Sequence, residues 1–81
     1  MRARVHVFYK DSVFDPAGNT LENSLRQQGF TGVSGVRIGK AIDMQIASDN
    51  NEEALLVAKQ MCDKLLANPV IESYQVEILP S

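Results

Sequence analysis

The chain is expected to fold as an α+β domain, a ferredoxin-like βαββαβ sandwich in which a four-stranded antiparallel sheet carries two helices on one face. Three observations predict it. Apolar and polar residues alternate in four separate runs, two other stretches carry helix-start residues and helical spacing, and the order of these segments returns the chain to a sheet after each helix. The first strand is read from Ala3 to Tyr9, where Ala3, Val5, Val7 and Tyr9 take one side and Arg4 and His6 the other, with Phe8 as an exception. Asp15-Pro16 then supplies an N-cap followed by a proline at the first helical position, where a missing N–H does no harm. The first helix runs from there to about Gln28, with Leu21, Leu25 and Gln28 on one stripe and Gly29 suited to a left-handed cap.

Val33 to Ile38 reads as the second strand, and Gly39-Lys40 as a turn into a third strand in which Ile42, Met44 and Ile46 alternate with Asp43, Gln45 and Ala47. These two strands are expected to form a hairpin with one apolar face. Asn50, with Glu53 three residues on, marks the start of the second helix. Its apolar stripe, Ala54, Leu55, Ala58, Met61, Cys62, Leu65 and Leu66, is the strongest periodic signal in the chain. Pro69 disfavours helical geometry at Asn68, so this helix is expected to stop near Ala67. Tyr74, Val76 and Ile78 alternate with Ser73, Gln75 and Glu77 in the last strand. The open face of the sheet would then carry Arg4, His6, Phe8, Asp43, Gln45, Gln75 and Glu77.

Residues 1–81 suffice for a single domain with a thin core, since a chain of this size buries only about 60–65% of the surface it exposes when unfolded. No staple is evident, so burial of a face against a partner is the expected source of extra stability. The lone Cys62 forms no internal disulfide and belongs with a reducing compartment, and a cytoplasmic location is expected. No run approaches the ~20 apolar residues that span a bilayer, so no membrane partner is expected. A formal charge of −2 argues against nucleic acid, whose recognition rests on neutralising phosphates with Lys and Arg.

Candidate chemistry is sparse. His6 lies on a polar strand face with no nucleophile near it in sequence, which makes it a surface or interface residue before a catalytic one. Cys62 sits within an apolar stripe, where a thiol serves as a small hydrophobe. The Gly35-Val36-Arg37-Ile38-Gly39-Lys40 run matches neither a P-loop nor a dinucleotide fingerprint, and its glycines are better assigned to hairpin geometry, while Arg37 and Lys40 could meet an acidic partner. No acidic pair stands out, and neither a metal site nor a catalytic residue is expected in this chain.

Three blocks carry a family resemblance: Val13-Phe14-Asp15-Pro16-Ala17-Gly18, Val36-Arg37-Ile38-Gly39-Lys40, and Cys62-Asp63-Lys64-Leu65-Leu66-Ala67-Asn68-Pro69-Val70-Ile71-Glu72. Together they closely resemble PurS, the small-subunit family of phosphoribosylformylglycinamidine synthase, and the similarity spans nearly the whole chain. The last block is the most specific. Phe14, Ala17 and Ala41 depart from the residues more frequent in the family.

The resemblance implies a ligase subunit of purine biosynthesis that carries no active site of its own. In that family PurL performs the ATP-dependent step with ATP and Mg, PurQ releases ammonia from glutamine, and PurS helps bring the two together. It also implies a homodimer, or a dimer of dimers, as further partners. Contact regions are expected at the helix entry (Asp15, Pro16, Gly18), the turn (Arg37, Gly39, Lys40) and the segment before the last strand (Asn68, Pro69, Glu72). Two other readings fit the same architecture: a stand-alone dimeric module binding a small regulatory ligand, and an acylphosphatase-like hydrolase, which would need an Arg and an Asn around an anion-binding loop. Fold alone does not choose among them.

Overall fold

In a computed structural model, which describes residues 1–80, the first alternating run pairs on both sides. Strand β1 (Arg2–Tyr9) is the centre of a three-stranded antiparallel sheet in the order β2-β1-β3, with β2 at Lys40–Gln45 and β3 at Glu72–Leu79. Val5 faces Ile42 on one side and Val76 on the other, so the even residues of β2 and β3 fall on the apolar face with the odd residues of β1. The β1–β2 ladder continues one pair beyond β2, where Ile46 N–H donates to Met1 O at 2.7 Å and the Met1 ammonium to Ile46 O at 2.9 Å.

Helix α2 (Asn51–Met61) covers that face. Asn50 Oδ1 caps it by accepting from Glu52 N at 2.8 Å and Glu53 N at 3.3 Å, as the spacing of these residues predicts. The residues that touch the sheet are small. Ala54, Ala58 and Cys62 are fully buried against Ala3, Val5 and Val7, so the helix backbone can approach the strands closely. The helix then opens into a single π-helical turn, Cys62–Leu66, closed by Ala67 N–H donating to Cys62 O at 3.1 Å. This extra residue carries the inward stripe from Cys62 to Ala67 and rotates Leu65 out to solvent, where it is 83% exposed. The stripe expected from periodicity is corrected accordingly, because Met61 and Leu65 lie outside it.

Two further expectations are corrected. The sheet has three strands, not four: Val33–Gly39 joins no ladder, and Gly35 within it bends the chain at φ 67°. A two-residue turn at Gly39-Lys40 would set Arg37 opposite Ile42 and Val36 opposite Asp43, which places apolar and charged residues on the same face. The segment is instead held by side chains of α1 and by the end of β1. Nor do two helices share a face. Helix α1 (Pro16–Gln27) buries only Gly18 and makes no substantial contact with any strand, leaving α2 alone on the sheet. The consequence is an elongated molecule of 48 × 28 × 14 Å whose radius of gyration is 15.8 Å, against about 12 Å for a compact chain of this length.

The packing of α2 makes a prediction. Ala58→Leu inserts a branched side chain where the helix meets the sheet, and is expected to destabilise the isolated chain by about 1–3 kcal/mol. Leu65→Ala, on the outer side of the π-helical turn, should change stability by under about 0.5 kcal/mol. Urea midpoints compare the two, and equal losses would show that Leu65 belongs to the core.

Candidate functional site

Among the described residues no group of three or more His, Cys, Asp or Glu side chains is placed to hold a metal ion. No helix of the described residues is long and apolar enough to cross a membrane. What the fold does build is a joint at one end of the sheet, where all three candidate blocks meet.

Its centre is Asp15. The N-cap conformation, φ −106° and ψ 96°, aims the carboxylate back over the first turn, where Oδ1 accepts from Gly18 N at 2.9 Å. Oδ2 accepts from Ile38 N at 2.8 Å, so one carboxylate starts α1 and fastens the Val33–Gly39 segment to it. These N–H donors, that of Ile38 foremost and then that of Gly18, hold the Asp15 carboxyl below the ordinary aspartate range. One turn further on, Glu22 Oε1 accepts from Val36 N at 2.9 Å while Arg26 steadies Glu22 at 3.1 Å and reaches Val33 O at 3.1 Å. Gly18 is required here. A Cβ would stand 2.5 Å from Val36 O, closer than the segment could lie.

Arg37 closes the other side of the joint. Its guanidinium donates to Tyr9 O, to Lys10 O at 3.1 Å and to Asp11 Oδ1 at 3.3 Å, binding the segment to the end of β1. Gly39 lies against Phe8, and a Cβ there would stand 2.5 Å from the Phe8 ring. The aromatic ring thus occupies the space over the glycine. Asn68 forms a tight turn into β3, its N–H donating to Glu72 Oε1 at 2.7 Å and its Oδ1 accepting from Val70 N at 3.0 Å. Lys10 N–H donating to Ile71 O at 2.8 Å joins this turn to β1.

Between these pieces lies an open cleft of about 280 Å³, with Phe8, Asp15, Ile38, Gly39, Lys40 and Glu72 among its walls. Of the candidate residues, Asp15, Gly18, Arg37, Gly39, Asn68 and Glu72 are engaged within the chain. Pro16, Lys40 and Pro69 are exposed.

Sequence reasoning missed several participants. Glu22 is central to the joint, and its spacing of four from Arg26 was the available signal. Tyr74 Oη donates to Asp63 Oδ1 at 2.9 Å across the π-helical turn, which raises the Tyr74 pKa. Exposed apolar side chains are also more numerous than the alternation suggested: Val70 is 77% and Phe14 68% exposed. On the open face Arg4 grips Asp43 with bonds of 2.7 and 3.0 Å, and its hydrogen bond lowers the Asp43 pKa. His6 lies 4.0 Å from Glu77, on the polar face where the alternation put it. Cys62 is buried, and burial pushes its thiol pKa up, away from the thiolate that a reactive cysteine needs.

Three comparisons with known proteins bear on this arrangement. A family model described as PurS, phosphoribosylformylglycinamidine (FGAM) synthase, matches residues 2–80. Curated relatives include the phosphoribosylformylglycinamidine synthase subunits PurS of Synechocystis, 45% identical over 93% of this chain and 75% of the relative, and of Thermotoga maritima, 39% identical over 93% and 92%. Among solved structures, the Thermotoga maritima purS subunit superposes with a TM-score of 0.88 at 37% identity, covering 96% of this chain and 90% of that one. A chain of the Thermotoga maritima PurLQS structure gives 0.87 at 37% identity over 96% and 95%. Methanocaldococcus jannaschii PurS, a subunit of formylglycinamide ribonucleotide amidotransferase, gives 0.83 at 38% over 94% and 92%.

Acid should loosen the joint. Because the folded pKa of Asp15 is depressed, its contribution is present above the unfolded value of about 3.9 and is lost as pH falls through the folded value. The urea midpoint should therefore fall more steeply below about pH 4 in the parent chain than in Asp15→Asn. Parallel acid limbs would show that the carboxylate charge contributes nothing there.

Proposed function

Since the chain belongs to the PurS family of phosphoribosylformylglycinamidine synthase subunits, we propose that it acts as the accessory subunit that joins a PurQ glutaminase to a PurL synthase. In this reading PurL carries the ATP and Mg used in the reaction, PurQ releases ammonia from glutamine, and this chain contributes surfaces and no cofactor. The observation that carries it is the match of the family over residues 2–80, together with a relative of the same shape within a PurLQS assembly.

The surface fits such a role. Large apolar side chains left in water mark contact sites, and here Leu65, Val70, Phe14, Phe30 and Leu56 are each 59% exposed or more. Helix α1, held by carboxylates at the joint, stands off the sheet with Leu21 uncovered. A second copy of the chain is the proposed cover for this arm, giving a homodimer, with a dimer of dimers as the next order of assembly. Each half would then regain the four-stranded, two-helix composition that the sequence predicts.

The engaged candidates, Asp15, Gly18, Arg37, Gly39, Asn68 and Glu72, shape the contact regions, and the exposed Pro16, Lys40 and Pro69 present them. The domain extends over residues 1–81, and its place is the reducing cytoplasm, where a free, buried Cys62 is stable.

Reconstitution tests the reading. With PurL and PurQ present, adding this chain should restore glutamine-dependent formation of formylglycinamidine ribonucleotide, while the reaction supplied with free ammonia should depend on it far less. If glutamine-dependent synthesis proceeds equally well without the chain, the bridging role is wrong.

A further inference from the structure

The π-helical turn Cys62–Leu66 at the end of α2 holds one residue more than an α-helical turn would. Its geometry has an alternative. Tightening the turn to four-residue spacing would bring Leu66 to the place of Ala67 and Leu65 to that of Leu66. The following segment would be little disturbed, because the turn at Asn68 is closed by its own bonds, Asn68 N–H to Glu72 Oε1 at 2.7 Å and Glu72 N–H to Asn68 O at 2.7 Å. The two registers thus differ chiefly in which leucine meets the sheet.

Opposing effects bring these registers close in free energy. The α-helical one would take Leu65, now 83% exposed, partly out of water and restore the commoner hydrogen-bond spacing. Against it stands the space of Ala67, which is buried with Cys62, Val5 and Val7, and which a leucine would overfill. A small contribution can therefore decide, and Tyr74 supplies one. Its backbone is fixed opposite Val7 in the β1–β3 ladder, and its ring packs on the same cluster. From there Oη donates to Asp63 Oδ1 at 2.9 Å, inside the π-helical turn. A hydroxyl donating to a carboxylate is among the stronger hydrogen bonds, and this one ties the turn to the sheet.

We propose that the Tyr74–Asp63 hydrogen bond is a latch that keeps the end of α2 in its wide register and Leu65 in water, with an α-helical register that withdraws Leu65 as the second state of the same segment. Tyr74 and Asp63 are positioning residues in this account, acting on Leu65 through the turn between them. The latch thereby sets how much apolar surface this end of the molecule shows, and the segment it governs is a two-state element. The inference concerns this helix end alone and is independent of the bridging role.

Nuclear magnetic resonance of the full chain tests it, with the unsubstituted Leu65 as the probe. In the parent a soluble gadolinium chelate should relax the Leu65 methyl protons strongly, and Ala67 N–H should be protected by its 3.1 Å bond to Cys62 O. Tyr74→Phe removes the hydroxyl and keeps the ring. The Leu65 relaxation should then fall roughly threefold as its methyls move to a half-buried place, with new cross-peaks between them and the ring at position 74. Asp63→Ala, at an exposed site, should do the same, while Asp63→Asn, which retains an acceptor oxygen, should keep the parent spectrum. That rescue separates the latch from a loss of charge or bulk. If Tyr74→Phe and Asp63→Ala leave Leu65 as exposed as in the parent, the bond does not hold the register and the proposal is wrong. If both variants only fray, with Ala67 protection lost and no new Leu65 contact, the segment has no second state and the proposal falls equally.

Discussion

The close seating of α2 on β1 and β3 is the constraint from which the rest of this structure follows. Ala54, Ala58, Cys62 and Ala67 meet Ala3, Val5 and Val7 at its centre, with Met44, Leu66, Tyr74 and Val76 among the larger side chains packed around them. Such packing brings a helix backbone near the sheet and gains dispersion contacts over the whole interface. One helix lies over β1 and β3, and α1 makes no substantial contact with any strand.

The position of α1 is consequently set by polar groups. Asp15 and Glu22 stand where a neighbouring strand's carbonyls would stand, and take up the N–H groups of Ile38 and Val36. A carboxylate is a stronger acceptor than a carbonyl, and each of these two also serves α1 itself, Asp15 as its cap and Glu22 through Arg26. The arm is therefore defined in shape although it has almost no buried surface. That combination suits a segment whose apolar cover comes from another molecule, because little needs to be ordered when the partner arrives.

Much of this was legible in the residues. The alternation of β1 and β3, the Asn50 and Asp15 caps and the left-handed Gly29, at φ 99°, lie where local chemistry puts them. The π-helical turn was not legible, since Leu65 and Leu66 continue the spacing of an α-helix and only the tertiary fit of Ala67 decides which of them points inward. Nor was the joint. The Asp15 cap reads as a local device, and its second oxygen finds Ile38 only because Gly18 lets the two segments come so close, a long-range fact without a short-range sign. The three family blocks nevertheless fell together at one end of the sheet, which is the part of the candidate surface that the sequence located.

The hairpin is the instructive error, and its cause is parity. Apolar residues at 36, 38, 42 and 44 share a face only if the pairing sum is even, whereas a two-residue turn at Gly39-Lys40 makes it odd. Within one chain, an even sum needs a three-residue loop, commonly closed by a residue in the left-handed region. Gly29 and Gly35 are the described residues with positive φ, while Ala41 lies in the ladder opposite His6 and Lys40 opposite Val7. Closing the loop would strip both residues from β1 and pull Gly39 from beneath the Phe8 ring. The alternation that suggests a hairpin carries no information about loop length, and it is loop length that sets the register.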